Sequence, residues 1–406
     1  MNPRLGLLQP YPFERLRELL AGVQAPAGMR PIPLSLGEPQ HPTPQLLKDA
    51  LVAGFDGLAR YPLTRGLPQL RIAIAEWLAR RHGLGMVDPE TEVLPTMGSR
   101  EALFAIAQAV LDPADRDALV ICPNPFYQIY EGAALLGGAK PYFVNSVPER
   151  GFAPDWDAIP ETVWKRARLL YACSPNNPHG RVMPREEWHK LFRLSDRHGF
   201  VIVADECYSE IYFDESAPPV GSLRVAREMG REGFPNLVVM GSLSKRSNAP
   251  GLRSGFAAGD RAILERFALY RTYHGSALSN TVQMASVAAW KDEAHVVENR
   301  RLYREKFARF RERLDGVLPL AMPQAAFYFW AAAPGGDDER LARELYAATG
   351  VTVLPGSYLS REAHGVNPGR GFVRMALVST VEETLEAAER IRAFVSSMAA
   401  KSTVAG

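Results

Sequence analysis

The sequence predicts an α/β architecture in which one large, mostly parallel seven-stranded sheet flanked by helices is joined to a smaller α+β domain. Three observations predict it. From about residue 90 to about residue 260, short apolar runs alternate with amphipathic stretches, the pattern of strands linked by crossover helices. Several runs, such as Phe-Val-Ile-Val from Phe200 and Leu-Val-Val-Met from Leu237, are apolar at every position, as in strands covered on both faces. After Ser279 the pattern changes to a long charged helix and then a second mixed segment.

Taken in order, the amino-terminal segment carries Pro31, Pro33, Pro39, Pro42 and Pro44 and reads as extended chain able to pack on either domain. Strands are expected at Glu92–Pro95, Ala118–Cys122, Pro141–Asn145, Arg168–Cys173, Phe200–Asp205, Leu237–Gly241 and Ser254–Ala258. Helices are expected at Arg100–Leu111, with Glu101 favourable in its first turn, and at Pro184–His198, where proline is tolerated at the start. The long charged helix spans Asp292–Leu314. We divide the chain into a large domain, residues 45–290, and a small domain, residues 1–44 with 291–406. The last residues, Lys401–Gly406, are expected to fray.

Composition narrows the function. With 406 residues, 47% hydrophobic, the chain can bury a sizeable core. Forty-seven Lys and Arg balance forty-five Asp and Glu, so no basic footprint for nucleic acid or anionic lipid is present. No apolar run reaches the roughly 18 residues that span a bilayer. Cys122, Cys173 and Cys207 are widely spaced without a C-x-x-C pair, which argues against disulfides or a structural metal and for buried packing. The amino terminus lacks the pattern of a secretory signal. A cytoplasmic protein with a small-molecule partner and no metal is expected.

The chemistry gathers just after strands, where open α/β sheets bind ligands. In Gly241-Ser-Leu-Ser-Lys245, a lysine stands among hydroxyls, and Arg253 follows eight residues on. A lysine whose charge is suppressed attacks carbonyls and forms a Schiff base. Ser242, Ser244 and Arg253 are phosphate-type ligands, so together with Lys245 they suit a phosphorylated aldehyde such as pyridoxal 5'-phosphate (PLP).

Asp205 ends its strand and either caps the next helix or meets a buried cation such as a protonated pyridine nitrogen. Tyr208 and Asn177 could donate to a cofactor oxygen or serve turns and packing. Gly98-Ser99-Arg100 lies at a strand-to-helix junction that suits phosphate or simple capping. Tyr127 offers a ring face for stacking or for the core. Arg374, a lone charge in Gly371–Val378, either meets an anion in bidentate fashion or turns to solvent.

The ordered set resembles the fold-type I PLP-dependent aminotransferases of classes I and II. It runs through Ser35-Leu-Gly-Glu-Pro39, Tyr61-Pro-Leu-Thr-Arg-Gly66, Ser99, Ser174-Pro-Asn-Asn-Pro178, Asp205-Glu-Cys-Tyr208, Ser242-Leu-Ser-Lys245, Arg253 and Arg374. The resemblance implies that Lys245 carries the cofactor, Asp205 pairs with its ring nitrogen, Asn177 and Tyr208 hold the ring oxygen, and Tyr127 stacks. It implies that Ser99, Arg100, Ser242 and Arg253 bind phosphate, with Tyr61 arriving from the second subunit of a homodimer. It also implies that Arg374 and the Gly37 backbone grip the substrate α-carboxylate.

Two departures stand out: His179 replaces the family's threonine near an expected helix start, and Ala325 replaces a glycine. Longer stretches, Phe126–Leu136, Ser244–Arg253, Tyr270–Ser276 and Leu354–Arg370, are similar to bacterial N-succinyldiaminopimelate aminotransferases. That similarity implies glutamate as amino donor and a long second substrate, and Arg100, Arg361 and Arg370, which fall in loops near the expected site, are candidates to meet its far end. An aminotransferase for alanine or aspartate and a PLP-dependent C–S lyase share the same ring-holding set, and so remain alternatives. A PLP-binding regulator would need an appended basic domain, which the chain lacks.

Overall fold

The computed structural model describes residues 1–404. All seven expected strands form: β1 (Val93–Thr96), β2 (Leu119–Asn124), β3 (Lys140–Asn145), β4 (Ala167–Cys173), β5 (Val201–Asp205), β6 (Leu237–Ser242) and β7 (Gly255–Gly259). They make one sheet in the order β1-β7-β6-β5-β4-β2-β3. Strand β7 runs antiparallel to both its neighbours, and the remaining pairs are parallel. The exception has a physical cause: residues 243–254 hold only a four-residue helix and a 3-10 turn, too little for the helical crossover that a parallel return needs.

The sheet is buried apart from Arg168 near the start of β4 and the edge strand β3, where Lys140 is exposed. A charge on an edge strand guards against pairing with other chains. Successive residues face opposite layers, so Leu237 and Val239 join one apolar core while Val238 and Met240 join the other. Helix α1 (Ser99–Val110) lies in the second layer and helix α2 (Arg185–His198) in the first. Pro184 stands as the cap just before α2 rather than as its first residue.

A further core surrounds a three-stranded antiparallel sheet of β8 (Tyr328–Ala332), β9 (Leu354–Pro355) and β10 (Phe372–Ala376), ordered β9-β10-β8. Against it pack helix α3 (Ala294–Leu314), through Tyr303, Phe307 and Phe310, and helix α4 (Val381–Val404), through Ala387, Ala388 and Ile391. The proline-rich amino-terminal segment joins this core: Ile32–Pro33 pairs in parallel with Val351–Thr352, and Leu34 O accepts Ala376 N–H at 2.7 Å. Helix α4 continues through Lys401 to Val404, so the fraying expected from Lys401 is replaced by helix there, and Ala405 and Gly406 lie outside the described residues. Among the described residues, no helix is long and apolar enough to cross a membrane.

Candidate active site

The carboxyl ends of β4, β5 and β6, the start of α1 and strand β10 converge on one cavity of about 560 Å³. Of the thirteen residues expected to hold the cofactor or the α-carboxylate, twelve line it: Gly37, Ser99, Arg100, Tyr127, Asn177, Asp205, Tyr208, Ser242, Ser244, Lys245, Arg253 and Arg374. The thirteenth, Tyr61, is 99% exposed and lies away from it.

At the floor, Asp205 ends β5 and is buried. Its Oδ2 accepts Tyr130 Oη–H at 2.7 Å and its Oδ1 accepts Cys207 N–H at 3.3 Å. Tyr130 is itself held by stacking on Tyr171, with ring centroids 4.4 Å apart. Burial raises the Asp205 pKa, opposed by the Cys207 and Tyr130 hydrogen bonds and by Lys245. Among the described residues Asp205 has no salt bridge, so its carboxylate calls for a cation in the cavity.

Strand β6 delivers the lysine. Ser242 caps the short helix Leu243–Arg246, its Oγ accepting Ser244 N–H at 3.1 Å. Lys245 Nζ donates to Gly37 O at 2.9 Å and stands 5.5 Å from the Phe327 ring centroid. Burial lowers its pKa to about 8, and the Arg374 and Arg253 charges push the same way against Cys207 and Glu38. A substantial fraction of neutral amine near neutral pH is what a nucleophile or base requires.

The cavity's far end gathers Ser99, Ser242, Ser244 and Arg253. Gly98 has φ +75°, a backbone conformation that favours glycine, and a Cβ there would fall 2.6 Å from Arg253 Nη2 and displace the guanidinium. Ser99 begins α1, where unsatisfied N–H groups and the helix dipole favour an anion. Arg100 points elsewhere: its Nε donates to Tyr127 Oη at 2.7 Å.

Opposite the lysine, Arg374 is buried within β10, which excludes the solvent-facing alternative. Its Nη1 donates to Asn177 Oδ1 at 3.0 Å and its Nη2 to Ser35 O at 2.8 Å. It lies 4.4 Å from the Tyr328 ring centroid, and its Nε has no partner. Tyr328 Oη is 2.8 Å from Tyr208 Oη, and burial raises the Tyr208 pKa.

Several expectations need correction. Arg361 is not free for substrate: Nε and Nη2 bind Glu131 at 2.9 and 2.6 Å. Arg370 lines a separate surface groove with Gln9, Arg15 and Glu18. His179 sits in a turn before α2, stacked on Phe152 at 4.4 Å, and not at a helix start. Cys173 and Cys207, expected as packing, are buried yet also line the cavity. Sequence reasoning missed Tyr130, Tyr328, Glu38 and the amino-terminal Tyr11 and Phe13, all but Tyr130 on the cavity wall. Tyr130 lies in the first turn of the helix Ile129–Leu136, just after Tyr127, and the two rings meet edge to face with centroids 5.9 Å apart. Tyr11 carried no local signal.

The donor set fits PLP. The buried Asp205 carboxylate, which lacks a cation, would hold a protonated ring nitrogen, the hydroxyls, Arg253 and the start of α1 would hold a phosphate, and Lys245, of lowered pKa, lines the same cavity. Fold and site together define a PLP-dependent transferase of fold type I. Residues 30–391 match the family model described as aminotransferase class I and II, and the chain belongs to that family. An aminotransferase from Neisseria meningitidis superposes with a TM-score of 0.93 at 52% identity, covering 98% of this chain and 99% of that one. Aminotransferase AspB from Helicobacter pylori gives 0.88 at 36% identity, covering 96% and 99%. A protein of Syntrophobacter fumaroxidans named LL-diaminopimelate aminotransferase is 33% identical, over 96% of this chain and 97% of its own length.

Proposed function

We propose that this chain is a homodimeric aminotransferase exchanging an amino group between glutamate/2-oxoglutarate and N-succinyl-LL-2,6-diaminopimelate/N-succinyl-2-amino-6-ketopimelate. The observation that carries the two-substrate cycle is Arg374, a buried guanidinium with an unpartnered nitrogen in the same cavity as Lys245. Both substrates present an α-carboxylate that its planar fork can bind. The diaminopimelate assignment is supported by the four long similar stretches and by the name that the Syntrophobacter relative carries.

Bound PLP carries the amino group between the two acids and supplies the electron sink for the α-carbanion. The chain's own residues do the rest. Arg374 and the Gly37 backbone would orient the α-carbon, and Lys245 Nζ would take the α-proton as general base and give it up again as general acid. Asp205 keeps a ring proton in place, Asn177 and Tyr208 hold the ring oxygen, and Tyr127 covers the ring face. Ser99, Arg100, Ser242, Ser244 and Arg253 bind the phosphate, Arg100 through its main chain.

We assign Tyr61 to the neighbouring subunit's phosphate. Phe55, Leu58 and Leu63, close to it in sequence, are likewise exposed apolar side chains that a second copy would cover. The cavity then lies between the domain of residues 45–290 and that of 1–44 with 291–406.

Unsubstituted LL-diaminopimelate is the second reading, favoured by the relatives' names. Purified enzyme assayed with glutamate against N-succinyl-2-amino-6-ketopimelate, and with 2-oxoglutarate against LL-diaminopimelate, separates the two. Faster turnover of alanine or aspartate pairs, or pyruvate release from a β-substituted amino acid without a keto acceptor, overturns both. Borohydride reduction and peptide mapping should place the cofactor on Lys245.

A further inference from the structure

Behind the cavity, residues 245–248 are held by a buried polar set from the chain between 289 and 299 and from the amino-terminal segment. Its centre is Asn299, on α3 and only 2% exposed. Its Nδ2 donates to the carbonyls of Lys245 at 3.2 Å and Arg246 at 3.4 Å. Its Oδ1 accepts Asn248 Nδ2–H at 2.9 Å and lies 3.0 Å from His41 Nδ1.

Two donors and two acceptor positions are all used, which fixes the amide orientation, since the flipped form would set its oxygen against two carbonyls. His41 Nδ1 must then carry the proton. Burial, with Lys306, lowers the His41 pKa to about 4 against the Asn299 bond and Glu298, so the ring is neutral at physiological pH.

The flanking residues are fixed from the same segment. Arg246 donates to Ala289 O at 2.7 Å, Asp292 O at 3.1 Å and Glu293 Oε1 at 2.5 Å. Ser247 Oγ is 2.8 Å from His295 Nε2. His41 also lies on the same short stretch as Gly37, whose carbonyl accepts Lys245 Nζ–H. One segment therefore holds the amine directly and the lysine main chain through Asn299.

We propose that Asn299 is a positioning residue for the reacting amine, closing with His41 a clamp that fixes the Lys245 main chain relative to Gly37. A four-carbon side chain delivers its nitrogen reproducibly only from a fixed backbone, and an error of about 1 Å can cost about a hundredfold in rate. The clamp also ties the reach of Nζ to the seating of the amino-terminal segment on the small sheet. The inference rests on Lys245 being the reacting amine, which peptide mapping tests separately.

The experiment is pH-dependent labelling of Lys245 in the full-length apoenzyme with an amine reagent, read by peptide mass, beside steady-state kinetics of the holoenzyme. The parent should titrate near 8. Because burial is the main cause of that depression, an Asn299→Leu lysine that gains water should titrate higher by about half a unit or more. Its kcat should fall roughly tenfold while KM for glutamate stays within about twofold. His41→Ala should move both readouts the same way by less.

A merely structural role would lower the thermal midpoint and leave the titration alone. Folded Asn299→Leu enzyme with the parent's titration and kcat overturns the proposal. Where Asn299→Leu does not fold, unchanged values in His41→Ala overturn it. Cofactor reduced onto a different lysine would instead sink the assignment of Lys245.

Discussion

The floor and the roof of the cavity each bury one charge without a counter-ion, and they do it differently. Asp205 and Arg374 are each 4% exposed, and neither forms a salt bridge among the described residues. At the floor both carboxylate oxygens are hydrogen-bonded by neighbours of the large sheet, Tyr130 and Cys207. At the roof the guanidinium spans elements, bonding Asn177 after β4 and Ser35 in the amino-terminal segment, while its Nε is unpaired.

An isolated buried charge costs several kcal/mol, so each is retained for a ligand of opposite sign. The difference in support says which ligand stays. Under the proposed function the floor would hold a permanent cation and the roof an anion that comes and goes.

Asp205→Asn should have the largest effect on this contrast. It keeps the shape and can still accept Cys207 N–H, but its Nδ2 donates where Oδ2 accepted Tyr130 Oη–H, and it removes the charge that would hold a ring proton. We expect kcat/KM to fall by about two to three orders of magnitude, and cofactor affinity to fall with it. Steady-state kinetics and a cofactor titration measure both. Activity within about tenfold of the parent would mean the floor carries no permanent cation, and the two charges would no longer differ in kind.

Arg374→Lys comes next. Lysine keeps the charge but loses the planar fork, and with Asn177 and Ser35 O held its one remaining donor cannot pair a carboxylate in bidentate fashion. We expect KM for glutamate and for 2-oxoglutarate to rise together by about thirtyfold or more, with a smaller change in kcat. Cofactor binding should be retained. A rise in KM for only one substrate would show that the roof does not serve both half-reactions.

How these groups were legible differs in the same way. The floor could be read from the chain, because Asp205 ends an apolar run, Lys245 follows another within a few residues, and the strand ends of an open sheet locate a site. The partners could not, because Tyr130 reaches Asp205 across 75 positions and Asn177 meets Arg374 across 197. Strand β7 shows a similar limit: its apolar pattern marks a strand, and the antiparallel direction follows only from the short connection that carries Lys245. The amino-terminal segment offered two places to pack, and pairing of Ile32 with Val351 chose one.

Arg361 supplies the third charge and the smallest expected effect on turnover. Sequence proximity to the site made it a substrate contact, yet its guanidinium is paired with Glu131, the two side chains being 18% and 10% exposed. Asn124 Oδ1 also accepts the Arg361 N–H at 3.0 Å. A charge already matched has nothing left for a substrate carboxylate, in contrast to Arg374. Arg361→Met alone strands a mostly buried carboxylate and should destabilise the fold by up to about 3 kcal/mol. Pairing it with Glu131→Leu removes both charges and should restore most of the loss. In that double variant kcat/KM for every substrate should stay within about threefold of the parent, since neither side chain lines the catalytic cavity. A selective loss with the longer substrate alone would make Arg361 a ligand after all, and the rule that unmatched charges mark the binding groups would fail at this position.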